Sequence, residues 1–470
     1  MKFLKAFLIF FQLLLLLFIT GSCNTEYRAN NYTAYFGGEV SNPKVRYVLF
    51  CKDDEVLDTL PLNDNNRFFT KFDSLAPGMY SFRHEPEYQY VYFEKNDSLL
   101  VSINSRDFDE SIVFTGRGEE KNNLLMELYL NNERSMADLF KIFDYDVPQF
   151  LQSVNTAYRK TRNIYTKRKT DIKWSDDFDV YAQAVVNFPY YSKKEIYPVI
   201  HKIRKGEDVT GKLPADYYDF RKKINFDDPR LSNFSPFVRY LSHMLNNVSA
   251  QANLNIGTTD GKASLATNTM KLNIADTLIN NEATKNTILN NIAFTYLLED
   301  QNMANNREFL KVYQRYSTDK STKNEITNIS NAIQNLETGS PLPIVELVDR
   351  EGNEISSDSL TTGKTVIFFW TGNALPHMLE AQSRAIRFQL KNPDYKFIAV
   401  NIDSDQDEWV RSMAKYKLDT IAQYRASEFE NMKYKWAVTK IHRTIVLDQN
   451  GIIKTAFTNL FEQKFEDNLK

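Results

Sequence analysis

Residues Lys364 to Met378 read KTVIFFWTGNALPHM, and the understanding of that stretch decides the fold. Val366, Ile367, Phe368, Phe369 and Trp370 form an unbroken apolar run, the pattern of a strand covered on both faces. Thr371, Gly372 and Asn373 are turn formers. From Met378 the sequence MLEAQSRAIRFQL places Met378, Ala381, Ala385, Ile386 and Phe388 along much of one helical face. A buried strand, a tight turn and an amphipathic helix are therefore predicted in that order.

Working outward, Ile344 to Val348 predicts a strand, Asp349 to Asn353 a turn and Ser356 to Leu360 a short helix, before Gly363-Lys364 enters the central strand. Downstream, Lys396 to Asp403 (KFIAVNID) predicts a second parallel strand, so that the helix after Pro376 completes a βαβ unit. Helices are expected over Asp405 to Leu418 and Asn431 to Ala437. A hairpin is expected from Arg443-TIVLD through the Asp448-to-Gly451 turn to Ile452-IKTAF, with a closing helix over Asn459 to Lys470.

This order of elements resembles the thioredoxin-like thiol–disulfide oxidoreductases of the TlpA and ResA type. Their apolar strand runs into Phe-Trp-Ala-x-Trp-Cys-x-Pro-Cys at a helix start. Phe369 and Trp370 match the Phe-Trp pair, and Pro376 matches the motif proline. The two cysteine positions hold Ala374 and His377, giving Ala374-Leu375-Pro376-His377 in place of CxxC. The family's Gly-x-Pro-Thr-Thr stretch, whose cis-proline faces the active site, aligns with Lys440-Ile441-His442-Arg443-Thr444, so the proline position is His442. A cis bond before a residue other than proline costs several kcal/mol, so this loop is expected to be trans.

The chain opens MKFLKAFLIFFQLLLLLFITGSC: a basic start, an apolar run from Phe7 to Ile19, and small residues before Cys23. This predicts a secretory signal over residues 1–22. It resembles a bacterial lipoprotein signal, which implies lipidation of Cys23, a membrane partner through that lipid and a Gram-negative cell-envelope location. A retained signal anchor is the alternative, and the apolar run is short for a membrane span. Residues 23–33 read as a polar tether. The chain holds 2 cysteines in all, so a lipidated Cys23 leaves Cys51 as the sole thiol. One thiol supports neither an internal disulfide nor a dithiol cycle, and cysteine-based zinc sites are excluded. Lys+Arg 58 against Asp+Glu 60 leaves no basic excess to suggest nucleic acid.

At 470 residues the chain is too long for one ordinary domain. Residues 34–118 carry short β-branched and aromatic runs, among them Val45 to Cys51, Met79 to Phe82, Tyr90 to Phe93 and Leu99 to Ile103, with turns at Asp64-Asn65-Asn66 and Pro77-Gly78. This spacing predicts an antiparallel β-sandwich. Gly37-Gly38, Asn65 to Phe69 and Thr115-Gly116 also resemble the N-terminal domain of unknown function that precedes thioredoxin-like domains in Bacteroidetes lipoproteins. Cys51 reads as an inert core residue, with a reactive sensor thiol as the alternative.

From residue 119 to 337 the apolar period lengthens to about 3.6, predicting a helical domain with Pro148, Pro189, Pro214, Pro229 and Pro236 between or at the ends of helices. The basic run from Arg159 to Lys169 reads as a solvated helix face, with a membrane-facing patch as the alternative. Thr338 to Pro343 is rich in breakers and reads as a linker to a thioredoxin-like domain over 338–470.

The expected class is thus multidomain α+β: sandwich, helical domain and thioredoxin-like α/β domain. Two readings of function stay open. In the first the chain is a redox-inactive envelope lipoprotein that binds or scaffolds a protein or peptide, with no cofactor. In the second it is an enzyme of the oxidoreductase family with a degenerate site, or with metal or histidine chemistry at His377 and His442. No residue is assigned a catalytic role with the thiols gone.

Overall fold

The computed structural model describes residues 32–53, 55–136, 139–254, 265–299, 303–438, 440–462 and 464–470. The signal segment, Cys23 and most of the tether lie outside the described residues. The chain is a mixed α/β protein that divides into two compact units between Met126 and Glu127. No helix among the described residues is long and apolar enough to cross a membrane.

The first unit contains β1 (Ala34–Ser41), β2 (Tyr47–Lys52), β3 (Glu55–Pro61), β4 (Arg67–Phe72), β5 (Gly78–His84), β6 (Glu87–Phe93), β7 (Ser98–Asn104), α1 (Phe108–Ser111) and β8 (Val113–Arg117). They form two four-stranded sheets, β4-β1-β7-β8 and β3-β2-β5-β6. Phe36 from the first sheet meets Phe50, Phe82 and Phe93 from the second at ring separations of 5.6, 5.8 and 5.8 Å. The expectation of a wholly antiparallel sandwich is corrected at one pair: β1 runs parallel to β7. Alternation of apolar residues fixes which face is buried, but it carries no information on strand direction. Gly38 permits this pairing, since a Cβ there would lie 2.1 Å from the Val101 carbonyl oxygen. Cys51 is fully buried in β2.

The helix α2 (Glu119–Met136) is followed by α3 (Leu139–Phe143), α4 (Val147–Ile172), α5 (Asp176–Lys205), α6 (Ser235–Leu254), α7 (Leu265–Leu278), α8 (Glu282–Glu299), α9 (Met303–Tyr316) and α10 (Lys320–Asn335). The basic residues from Arg159 to Lys169 lie exposed on α4, as read. Pro189 was expected at a helix end and instead lies inside α5, together with Pro198. An internal proline removes a backbone donor and crowds the preceding turn. Aromatic packing on both sides outweighs that cost: Tyr190 stacks on Tyr158 at 4.2 Å and Tyr191 on Phe220 at 4.5 Å.

Beneath this layer Glu195 is fully buried. Its carboxylate accepts from Arg221 at 2.8 and 2.5 Å and from the Asn247 amide at 2.7 Å. Arg221 also lies flat over Tyr218 at 3.9 Å. A buried ion pair of this kind ties the irregular segment after α5 to α5 and α6.

The rest of the second unit holds β9 (Glu346–Val348), β10 (Glu354–Ser356), α11 (Ser357–Leu360), β11 (Thr365–Trp370), α12 (Leu375–Lys391), β12 (Lys396–Asn401), α13 (Gln406–Tyr416), β13 (Ala422–Ala426), α14 (Phe429–Trp436), β14 (Thr444–Leu447) and β15 (Ile453–Thr458). The sheet order is β10-β9-β13-β12-β11-β14-β15. β11 pairs parallel with β12 and antiparallel with β14, and β14 pairs antiparallel with β15. All six residues of β11 are buried. Val366, Phe368 and Trp370 face Met378, Ala381, Trp409 and Val446, while Phe369 meets Trp436 on the other side at 6.2 Å. β13, whose sequence AQYRA lacks an apolar run, was not foreseen. The closing helix is corrected to a 3-10 turn over Phe465–Leu469, because Leu460, Phe465 and Leu469 reach the core from an irregular segment.

The breaker-rich linker is docked along its length. The Gly339 N–H donates to the Ile453 carbonyl at 2.8 Å, and the Ile453 N–H to the Ser340 carbonyl at 2.9 Å. The Trp436 indole donates to the Pro343 carbonyl at 2.6 Å. α10 packs on α14, where Lys433 lies 3.4 Å from Glu325.

Glu195→Ala should destabilise the protein by about 3–5 kcal/mol, since it strands Arg221 and Asn247 around a buried gap. Urea unfolding followed by tyrosine fluorescence checks this, and a loss below about 1 kcal/mol would show the pair to be dispensable.

Candidate functional site

The site expected from the sequence lies where β11 passes into α12. The Thr371–Asn373 turn is latched by the carboxylate of Asp403, which follows β12. Asp403 accepts from the Thr371 hydroxyl, from the Gly372 N–H at 2.7 Å and from the Asn401 amide at 2.9 Å. Trp370 anchors the end of β11 by donating its indole N–H to Gln423 at 3.1 Å. Ala374 stands at the cap of α12 and offers no side-chain hydrogen bond, though its carbonyl accepts from the Met378 N–H at 2.9 Å. Pro376 falls in the first turn, where the missing N–H costs nothing.

His377 is the third residue of α12 and is half-buried. Its ring lies against Phe461 at 5.2 Å with an interplanar angle of 34°. Neither ring nitrogen has a hydrogen-bond partner. Burial holds the imidazole below its usual pKa, and His442 pushes it further in the same direction. The positive end of the α12 dipole also disfavours a charged ring there.

His442 is exposed, on a turn in which the Arg443 N–H donates to the Lys440 carbonyl at 3.1 Å. Its pKa is lowered by burial and then by Lys440 and Arg443. Among the described residues the cis peptide bond is Glu85–Pro86, so Ile441–His442 is trans.

His442 acts on His377 electrostatically, and among the described residues no third ligand joins them. Among the described residues no cluster of three or more His, Cys, Asp or Glu could hold a metal. Cys51 belongs to the first unit and is buried there. A cavity of about 560 Å³ lies at the other end of β11, lined among others by Leu360, Lys364, Tyr395 and Lys396, and includes neither histidine. Asp403, Phe461 and Arg443 were missed in the sequence. Asp403 ends an apolar strand and reads as a turn residue, and nothing local marks Phe461 or Arg443 as neighbours of the helix or hairpin.

No family model matches the sequence, and no curated protein matches it. Solved structures do. A protein described as a thiol–disulfide oxidoreductase from Bacteroides vulgatus is 23% identical over 28% of this chain and 94% of its own, with a TM-score of 0.26. The thioredoxin domain of another thiol–disulfide oxidoreductase from the same organism is 16% identical over 26% of this chain and 89% of its own, with a TM-score of 0.24. A thiol–disulfide oxidoreductase from Bacteroides fragilis is 16% identical over 28% and 97%, with a TM-score of 0.24. Each covers little more than a quarter of this chain, and at these identities and TM-scores the likeness carries no chemistry across.

The His377 shift has a definite sign in pH. Its folded pKa lies below the unfolded value, so the unfolded chain takes up the proton first as pH falls below about 6.5. The stability contributed by the neutral ring is full above that pH and is lost on acidification toward the folded pKa. His442→Ala should raise the His377 pKa, as read from ring proton shifts in a pH titration. An unchanged or lower value would break the link between the two rings.

Proposed function

We propose that this protein is a redox-silent thioredoxin-type lipoprotein of the cell envelope, held to a membrane through lipid on Cys23 and acting by binding or scaffolding. In this reading a β-sandwich over residues 34–118 and a helical domain over 119–337 present a thioredoxin-like domain over 338–470. The observation that carries it is the start of α12, where the positions that hold the attacking and resolving cysteines in the motif that the sequence resembles are taken by Ala374 and His377. Neither side chain forms a mixed disulfide or stores two electrons. The buried Cys51 offers no exposed thiolate. The apolar run before Thr20-Gly21-Ser22-Cys23 supports the anchor. Exposed Leu375, Pro376 and Leu379 around His377 give the helix start an apolar surface suited to an extended peptide.

A second reading keeps chemistry at the histidines. It is favoured by one observation, that both His377 nitrogens are unpartnered. Metal analysis of the purified protein tests it, and a stoichiometric bound metal lost in His377→Ala would establish it.

Insulin reduction by the protein should not exceed that of its Cys51→Ser variant, and turnover above that control would end the redox-silent reading. Combining Ala374→Cys, His377→Cys and His442→Pro should recover weak activity if the cleft still accepts an extended substrate. Cys23→Ala should leave the chain unprocessed or release it from the membrane fraction. A processed, membrane-bound variant would refute the lipid anchor.

A further inference from the structure

Arg443 precedes β14 and is only 6% exposed. Its guanidinium lies over the ring of Phe457 at 4.4 Å. Nη1 has no hydrogen-bond partner, and among the described residues no acceptor is recorded for any part of the side chain. Burial pulls the guanidinium down to about 10, with no carboxylate holding it up, and a group at that value is still a cation at neutral pH.

Several other partly buried arginines among the described residues are answered by acids or carbonyls. Arg221 is clasped by Glu195, Arg230 by Asp228 and Asp177, and Arg384 by Glu380. Arg425 donates to Gln406 and to backbone carbonyls. Arg443 has an aromatic face and nothing else. A buried cation without a counter-charge is strongly destabilising, and a cation–π contact offsets only part of that cost.

The surroundings add positive charge. Lys440 and His442 sit exposed on the same turn, and Lys440 and Arg443 both act on His442. Glu380, one turn on from His377, is taken up by Arg384 at 2.7 Å, and among the described residues no carboxylate is paired with Arg443.

We propose that Arg443, backed by Phe457 and flanked by His442 and Lys440, anchors a binding site for the oxyanion of a small ligand, a carboxylate or a phosphate. The planar guanidinium fork matches both groups in two-point contact, and the Phe457 ring holds the plane from behind. The ligand supplies the counter-charge that the chain withholds, and the exposed lysine and histidine raise its local concentration. The site gives the proposed binding function a ligand class and rests on it for its biological sense. The two fail separately, since insulin reduction reads thiols and anion titration reads Arg443.

The test is isothermal titration of the full chain in detergent with sodium phosphate and, separately, sodium succinate at constant ionic strength. One saturable site is expected, and the arm that saturates identifies the oxyanion. Arg443→Met should weaken binding by about tenfold or more. It should also melt at or above the wild-type temperature without anion, and lose the rise in melting temperature that the anion gives the wild type. His442→Glu, at an exposed position, places a carboxylate beside the guanidinium and should weaken binding as strongly. It decides the matter alone if Arg443→Met does not fold. No saturable isotherm with either anion, or wild-type affinity in Arg443→Met, overturns the proposal and leaves water as the partner of Arg443.

Discussion

The second unit depends on covering β11 on both faces at once. Six consecutive side chains, Thr365 to Trp370, are buried there. At roughly 25 cal/mol per Å² of apolar surface, a strand with Val, Ile, two Phe and Trp in sequence is a large driving force only if both faces are sheltered. One side is supplied by α12, α13 and the irregular C-terminal segment, the other by α14. The start of α12 is fixed by the same constraint, since Trp370 ends the buried strand and Asp403 takes up the donors of the next turn. A helix start held this firmly needs no dithiol to define it.

The start of α12 and the turn before β14 are distinguished by their charge. A thiolate at a helix start is favoured by the helix dipole. An imidazole at the same place is kept neutral by the dipole, by burial and by its neighbour His442. The turn before β14 carries Lys440, His442 and Arg443. Glu380, one turn on from His377, is taken up by Arg384.

Much of this was legible in the sequence because β11, β12 and β14 are short apolar runs bounded by turn formers, and α12 keeps a 3.6-residue period. The losses have separate causes. β13 is central but reads AQYRA, since its Gln423 and Arg425 are satisfied by hydrogen bonds rather than by burial in an apolar layer. Pro189 read as a breaker because the aromatic stacking that overrides it comes from residues distant in sequence. The parallel β1–β7 pairing could not be read, since period-two alternation is the same for either direction. At the site, Ala374, His377 and His442 stood out against the motif that the sequence resembles. Arg443 did not, because the lack of a counter-charge is a property of the folded surroundings and not of any stretch of chain.

The docked linker has a consequence for how this protein can be divided. Thr338 to Pro343 has the composition of a flexible joint, yet Gly339 and Ser340 extend the edge of β15 and Pro343 receives the Trp436 indole. A fragment begun at Ile344, where the strand pattern resumes, would expose backbone donors and acceptors on β15 and leave a buried indole unanswered. Such a fragment would carry an open sheet edge prone to pairing with its copies. Hydrogen bonds at Gly339, Ser340 and Pro343, rather than glycine and proline as breakers, set where such a cut can fall.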